Sequence, residues 1–277
     1  MSYTRNEFIK LVGLSGLATL TTGGIQAGET EKMESVDLRL GMASYTFRNF
    51  KLNEVITMAK RVGLTNIALK SMHMPLESSG DEIKNIAGQV RSAGLNLYGA
   101  GVIYMKTAQE VENAFTYARN AGLEMIVGVP NHDLLPLANE QVKKYNIKLA
   151  VHNHGPGDDL YSSVNDVYNK IKDLDKRIGF CIDIGHVKRI KQDPVAMIEK
   201  YKDRLYDMHM KDVNKDTGDG VPVEVGRGII DIPGVIKALN KIKYTGTVAF
   251  EYEKDGDDPL PGLAESVGYV RGVMKMV

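Results

Sequence analysis

From residue 36 onward, the hydrophobic positions of the chain alternate between short β-rich runs and longer amphipathic stretches. Apolar and small residues fill 38–44, and then Val55, Ile56, Ala59 and Val62 recur at helical spacing. The same strand-then-helix order repeats along the chain. The predicted strands are 38–44, 66–70, 96–102, 125–129, 148–152, 178–183, 205–210 and 247–251. The predicted helices are 53–62, 81–93, 107–120, 135–145, 164–174, 194–201, 232–242 and 260–276.

Eight strand–helix units predict one α/β domain, a (β/α)8 TIM barrel over residues 36–277. Strands that alternate with helices pair in parallel through right-handed crossovers, and eight units fill a barrel of this length. An open doubly wound sheet is the alternative. It is disfavoured because Gly41-Met42-Ala43-Ser44 stands where a dinucleotide-binding sheet carries Gly-x-Gly-x-x-Gly.

The N-terminal residues have the layout of an export signal. Arg5 and Lys10 precede an uncharged stretch over 11–28 that is rich in Leu, Gly, Ala and Thr. Its glycines make it too weakly apolar for a convincing membrane span. We therefore predict an export signal over 1–27, a linker over 28–35, and an exported, periplasmic protein without a stable membrane anchor. The alternative, a cytoplasmic protein whose N-terminal residues form an amphipathic helix, remains open.

Composition narrows the class of partner. Lys plus Arg and Asp plus Glu number 35 each, which argues against a nucleic acid partner. Cys181 is the single cysteine, so any metal must be held by His, Asp and Glu. Trp is absent, which disfavours a polysaccharide-binding platform. A small solute is therefore the expected ligand, and a homo-oligomer is compatible with the sequence.

Polar residues stand at the ends of the last four predicted strands. His152, Asp183 and Glu251 end strands five, six and eight, and His209 lies next to the end of strand seven. TIM-barrel active sites lie at these strand ends, and side chains alternate along a strand, so all four are expected to point inward. Buried carboxylates without a counter-charge are costly, which favours a bound cation. The ligand types suit one divalent ion, Mn²⁺, Mg²⁺, Co²⁺, Fe²⁺ or Zn²⁺.

Segments around these positions carry a family resemblance. They are Asp183-Ile184-Gly185-His186 with Asp193-Pro194, Met208-His209-Met210-Lys211-Asp212, and Phe250-Glu251-Tyr252-Glu253. Together they resemble the sugar phosphate isomerase/epimerase family, which consists of xylose-isomerase-like TIM barrels, and the likeness extends over 36–277. The resemblance implies that Asp183, His209 and Glu251 bind a divalent metal. It also implies that His186 contacts substrate hydroxyls.

Strand five departs from the family pattern. The resemblance implies a Glu at its metal position, where this chain has His152. An imidazole can bind the ion, but the pair of carboxylates that passes a proton between the two faces of an epimerase substrate is lost. We therefore expect a reaction in which one proton is removed beside a polarised carbonyl, with Glu251, His154 or Glu253 as the proton carrier.

Other polar residues are candidates for holding the substrate. Lys70 ends strand two and His73 follows it in the loop, while Lys211 is placed to stabilise a developing oxyanion. Arg227 lies in the loop before strand eight and is expected to bind a sugar hydroxyl or a phosphate. A solvated surface role stays open for Arg227 and for both lysines.

These residues favour a metal-dependent, isomerase- or epimerase-like enzyme that acts through an enediolate on a small sugar or keto-sugar. A lyase or hydratase acting on a 3-keto-glycoside or its glycal is the alternative, and His152 favours it. A non-catalytic sugar-binding barrel is a third hypothesis. An endonuclease IV-type barrel is disfavoured, because such barrels use more metal ligands and a basic DNA-binding face.

Overall fold

A computed structural model describes residues 37–277, in which eight parallel strands close into a barrel. The strands are β1 (Arg39–Ala43), β2 (Asn66–Leu69), β3 (Asn96–Met105), β4 (Met125–Pro130), β5 (Lys148–His152), β6 (Ile178–Asp183), β7 (Leu205–Met210) and β8 (Thr247–Phe250). Each strand pairs with its neighbours in the chain, and β8 closes the barrel against β1. The predicted single-domain (β/α)8 TIM barrel is confirmed. The predicted export signal and linker lie outside the described residues.

Helices surround the barrel and connect its strands. They are α1 (Leu52–Arg61), α2 (Gly80–Ser92), α3 (Ala108–Asn120), α4 (Leu135–Tyr145), α5 (Val164–Ile171), α6 (Ile184–Arg189), α7 (Pro194–Lys200), α8 (Ile232–Lys241) and α9 (Leu260–Met274). Short 3-10 helices cover Ser44–Phe47, His132–Leu134 and Lys202–Arg204. Within residues 37–277, no helix combines the length and apolar character that a membrane crossing requires.

Local sequence signals explain where the helices begin and end. At the start of α2, the Ser79 hydroxyl accepts the Glu82 N–H, and the Glu82 carboxylate accepts the Ser79 N–H at 2.7 Å. Thr107 and Glu110 repeat this capping box at the start of α3. Just beyond α2 the chain turns through Gly94 at φ +86°, a left-handed conformation that favours glycine. Both helices therefore lie within one residue of their predicted limits.

The structure differs from the prediction in several places. Helix α5 ends at Ile171, three residues before its predicted end. Strand β3 continues to Met105, three residues beyond its predicted end. The Asp183 carboxylate accepts the His186 N–H at 3.0 Å and thereby caps α6, a helix that the pattern did not predict. In the polar loop after β7, Asp212–Val213 and Pro222–Val223 form a two-residue antiparallel ladder.

Strand register brings the predicted site residues to one rim of the barrel. Asp183 of β6 lies opposite His209 of β7, and His209 lies opposite Ala249 of β8. On the other side of β6, His152 of β5 lies opposite Cys181. Parallel strands all end on the same side, so the polar residues at their C-terminal ends share one opening.

Candidate metal centre

Four side chains meet at the C-terminal rim of the barrel: His152, Asp183, His209 and Glu251. One ligand atom from each lies within 4.8 Å of the others, and all four residues are buried. His209 Nδ1 is 3.1 Å from His152 Nε2 and 3.2 Å from Glu251 Oε2. Asp183 Oδ2 is 3.8 Å from His152 Nε2. The structure thus brings together the four residues for which the sequence predicts metal binding.

The protonation states of His152 and Asp183 suit a bound cation. Burial lowers the pKa of His152 well below its ordinary value, so its ring is neutral. Burial alone would raise the pKa of Asp183, but His186 and Lys211 oppose it and hold that pKa well below the ordinary value. Within residues 37–277, the buried Asp183 Oδ2 has no hydrogen-bond partner with suitable geometry. A neutral imidazole and a buried carboxylate are both ligands that fit a divalent metal ion.

Lys211 already supplies positive charge to the same carboxylates. Its Nζ lies 2.9 Å from Asp183 Oδ2, 3.0 Å from Glu251 Oε2 and 3.1 Å from Glu253 Oε1. Burial would lower the pKa of Lys211, but Asp183 and Glu251 raise it well above the ordinary value. The expectation that these carboxylates lack a counter-charge is therefore corrected. One ammonium thus faces three carboxylates.

His154 lies directly beside the cluster. Its ring centroid is 4.5 Å from that of His152. Its Nε2 is 2.9 Å from the Tyr104 hydroxyl, and its Nδ1 is 3.5 Å from Asp158 Oδ2. Burial lowers the pKa of His154, so the neutral ring can accept a proton.

Glu253 is the more exposed carboxylate at this rim, with 28% of its side chain accessible. Burial raises its pKa above the ordinary value even though Lys211 opposes that change. Burial would also raise the pKa of Glu251, but His209 and Lys211 hold it well below the ordinary value. Of these two carboxylates, Glu253 is therefore the better suited to carry a proton.

His186 lies on α6, and its ring centroid is 5.9 Å from that of His152 and 6.0 Å from that of His154. Its Nε2 is 3.7 Å from Asp183 Oδ2, and burial lowers its pKa to about 4. The ring is therefore neutral at pH 7 and presents one donor and one acceptor to a neighbouring group. Such a ring suits the hydroxyl contact that the family resemblance implies.

The remaining substrate-binding candidates occupy different surroundings. The Lys70 ammonium lies 5.0 Å from the centre of the Tyr45 ring. Burial lowers the pKa of Lys70, and the carboxylates of Glu251 and Glu253 at the rim oppose that change. His73 is buried, and its two ring nitrogens contact Ser44 Oγ at 2.8 Å and the Phe50 carbonyl at 3.0 Å. Both ring nitrogens of His73 thus contact groups of the protein itself.

Arg227 also lies away from the predicted role. Its guanidinium forms a bidentate ion pair with the Glu265 carboxylate of α9, with Nη2 at 2.7 Å from Oε2. The Arg227 side chain is 62% exposed. Within residues 37–277, the ion pair and side-chain hydrogen bonds of Arg227 are with Glu265, so the structure places Arg227 in a surface ion pair.

Two residues of the site were missed by the sequence reasoning. Tyr104 contacts His154 but lies beyond the predicted end of strand three, so it was not counted among the strand-end residues. Asn153 exchanges two hydrogen bonds with the main chain of Asp183, one from its Nδ2 to the Asp183 carbonyl and one from the Asp183 N–H to its Oδ1. Its position between His152 and His154, both predicted site residues, could have indicated that Asn153 belongs to the site.

Curated relatives match part of the chain. The rhizopine catabolism protein MocC of Rhizobium meliloti is 26% identical over 145 residues, which cover 47% of this chain and 44% of that protein. An inosose dehydratase of Clostridium beijerinckii is 24% identical over 148 residues, 47% of each chain. The alignments thus span less than half the length of these relatives.

Solved structures share the fold over most of the chain. An L-ribulose 3-epimerase superimposes with a TM-score of 0.70 at 14% identity, covering 86% of this chain and 95% of the other. The IolI protein with a bound zinc atom superimposes with a TM-score of 0.72 at 14% identity, covering 86% and 99%. At this level of identity the likeness establishes the barrel fold.

The family model of xylose isomerase-like TIM barrels matches residues 106–273, which is more than half of the sequence. The matched region contains all four residues of the metal cluster. The chain belongs to the family of xylose isomerase-like TIM barrels.

Proposed function

We propose that this protein is a divalent-metal-dependent enzyme that acts through an enediolate on a small sugar or keto-sugar. The proposal is carried by the convergence of His152, Asp183, His209 and Glu251, whose ligand atoms lie within 4.8 Å of one another at the barrel rim. The zinc atom in the IolI structure and the sugar substrate named for L-ribulose 3-epimerase support the same class of chemistry.

When bound, the divalent ion would polarise a substrate carbonyl and stabilise negative charge on its oxygen. The four side chains of the cluster would hold that ion. Glu253, whose pKa burial raises, removes or returns the proton next to the carbonyl. His186 orients a substrate hydroxyl beside Asp183. His154 is a second proton carrier, on the side of the rim where Tyr104 lies.

A lyase or hydratase acting on a 3-keto-glycoside or its glycal is the second candidate. His152 favours it, because an imidazole in place of a carboxylate on β5 leaves no pair of metal-bound carboxylates on β5 and β8. Inosose dehydratase, a curated relative, carries a dehydration activity in its name. Replacing His152 by Glu is expected to raise epimerisation and to lower the native reaction if this reasoning holds.

The experiment is incubation in deuterated water with a panel of aldoses, ketoses and 3-keto-glycosides. The protein is stripped with a chelator and reloaded in parallel with Mn²⁺, Co²⁺, Mg²⁺, Fe²⁺ or Zn²⁺. We expect deuterium next to the carbonyl only in reloaded samples. Isomerisation leaves the substrate mass unchanged apart from deuterium, whereas elimination releases a separate leaving group and lowers the mass of the remaining product. Exchange that persists without metal, or its absence with every metal and substrate, would contradict the proposal.

A variant pair identifies the proton carrier. Glu253→Gln is expected to lower turnover by about 10² to 10⁴ while the metal stays bound. Glu199→Gln is the matched control, since Glu199 pairs with Lys241 on the outer surface at 2.9 Å. Full turnover by Glu253→Gln with metal bound would remove Glu253 from the reaction.

A further inference from the structure

A pocket at the end of β3 shares Tyr104 with the candidate site. It has a volume of about 240 Å³ and lies between the loop that joins β2 to α2, the end of β3 and one side of α3. Its walls include Leu76, Glu77, Ile103, Tyr104, Ala114 and Tyr117. The candidate site uses none of these residues except Tyr104, so the pocket has no role in the chemistry proposed above.

Three rings connect the metal cluster with this pocket. The His152 ring centroid is 4.5 Å from that of His154, and the Tyr104 ring stacks on His154 with centroids 5.5 Å apart and planes at 23°. The Tyr104 hydroxyl also lies 2.9 Å from His154 Nε2, which holds the ring in this position. Tyr104 is nevertheless 46% accessible. A ligand whose reacting group lies at the cluster therefore meets an aromatic surface along which a substituent extends into the pocket.

The charges of the pocket disfavour an anionic substituent. Glu77 and Glu110 contribute two carboxylates to its lining, and no Lys or Arg of residues 37–277 lines it. The Glu110 carboxylate is fixed there, because it accepts the main-chain N–H groups of Lys106 at 2.6 Å and Thr107 at 2.9 Å. A phosphate in this pocket would meet two negative charges without a lining cation.

Apolar side chains supply much of the remaining lining. Leu76, Ile103 and Ala114 face the pocket together with Tyr117. The Tyr117 hydroxyl donates to the Met74 carbonyl at 2.8 Å, so this residue is held against the loop that carries Leu76. An apolar cavity of about 150 Å³ binds benzene. A pocket of about 240 Å³ therefore has room for one six-membered ring.

We infer that this pocket binds the aglycone of the substrate, and that the substrate is a neutral glycoside with an aromatic ring on its anomeric oxygen. The inference rests on the proposed function. The sugar lies at the metal cluster, its anomeric substituent passes along Tyr104, and the ring packs against Leu76 and Tyr117. Leu76 and Glu77 then determine specificity, since the first supplies apolar surface and the second repels a phosphate.

Kinetics with three derivatives of one keto-sugar test the inference. The metal-loaded protein is given 3-ketoglucose that carries methyl, phenyl or phosphate on its anomeric oxygen. Burial of the phenyl ring is expected to raise kcat/KM at least about tenfold over the methyl glycoside, mainly through KM, and the phosphate should lower it at least about tenfold. A phenyl glycoside that is no better than the methyl one, or a phosphate that is preferred, would overturn the inference. A 3-keto-disaccharide that outperforms the phenyl glycoside would overturn the aromatic assignment.

Two exposed positions allow variants that leave the core intact. Leu76→Ala should reduce the preference for phenyl over methyl at least about threefold, and Glu77→Lys should reduce the discrimination against phosphate at least about tenfold. Met276→Ala is the control, because Met276 is 76% exposed and lies outside the pocket. Unchanged preferences in both variants would overturn the inference.

A second measurement does not depend on turnover. Phenyl β-glucoside, which lacks the ketone, is added to protein with labelled leucine and alanine methyl groups, and NMR is expected to show shifts at Leu76 and Ala114. Methyl β-glucoside should leave both resonances in place, and Met276→Ala should respond to phenyl β-glucoside as the unmodified protein does. Shifts confined to other methyl groups, or none at millimolar probe, would overturn the assignment of the pocket.

The two failures are distinguishable. Turnover of free ketoses but of none of the three derivatives would overturn the inference and leave the proposed function intact. If no member of the whole panel turns over with any metal, the proposed function fails, and the inference about its substrate fails with it.

Discussion

Replacing Lys211 by Met removes one charge from the centre of the site at nearly constant side-chain length. The ammonium lies 2.9 Å from Asp183 Oδ2 and 3.0 Å from Glu251 Oε2, and only 2% of its side chain is exposed. Breaking a buried ion pair from one side costs about 3–5 kcal/mol, because the other charge stays buried without its partner. We therefore expect metal-free Lys211→Met to lose about 3–5 kcal/mol of unfolding free energy.

Added metal should reverse that loss. Lys211 Nζ contacts carboxylate oxygens of Asp183 and Glu251, two residues of the metal cluster, so in the unmodified protein the ion meets the repulsion of a buried ammonium. Without the ammonium, affinity for the ion is expected to rise at least about tenfold, which corresponds to about 1.4 kcal/mol. Saturating metal then stabilises Lys211→Met more than the unmodified protein.

Urea denaturation with and without Mn²⁺ or Zn²⁺, together with calorimetric titration of the metal, measures both effects. Lys254→Met is the control. Lys254 pairs with Glu224 at 2.8 Å but is 41% exposed, so its loss should cost less than about 1 kcal/mol and leave metal affinity unchanged. The reasoning is refuted if metal-free Lys211→Met is as stable as the unmodified protein, or if it binds the ion more weakly.

Three further changes test parts of the molecule away from the metal cluster. The hydrogen bond from Lys254 is the main reason that the pKa of Glu224 is about 2, against an ordinary value of 4.5. In urea titrations, the unfolding free energy of the unmodified protein should therefore exceed that of Glu224→Gln by its full amount above about pH 4.5, and this difference should disappear as the pH falls toward 2. Phe115→Ala empties a fully buried position on α3 and should cost about 3–5 kcal/mol in the same assay without changing metal affinity; a cost below about 1 kcal/mol would contradict its place in the core. Asp212 accepts main-chain N–H groups across its loop, including Gly228 at 3.0 Å, so Asp212→Asn should speed proteolysis within 212–230, and an unchanged cleavage rate would contradict that role.

Hydrophobic periodicity determined most of the fold. The alternation of β-rich runs with helical stretches is a local property, and each run reports its own secondary structure through side-chain spacing. Seven of the eight predicted strands therefore lie within one or two residues of the observed ones. The exception, β3, continues past Val102 to Met105, where only its pairing with β4 maintains the strand.

The candidate metal ligands were also accessible from sequence. His152, Asp183, His209 and Glu251 stand at strand ends, and parallel strands place their C-terminal ends at one rim. Because successive side chains of a strand point to opposite faces of the sheet, the position of each residue in its strand then predicts that its side chain faces the barrel interior. Both steps need only short stretches of chain, so no long-range distance had to be known.

What the tertiary structure alone decided is which groups meet across the barrel. Lys211 reaches Glu251 from 40 residues away, and Tyr104 reaches His154 from 50 residues away. His73 contacts Ser44 and Phe50 from more than 20 residues away. These contacts depend on the stagger of the closed sheet and on the paths of its loops, whereas spacing along the chain reports only which side of its own strand or helix a residue occupies.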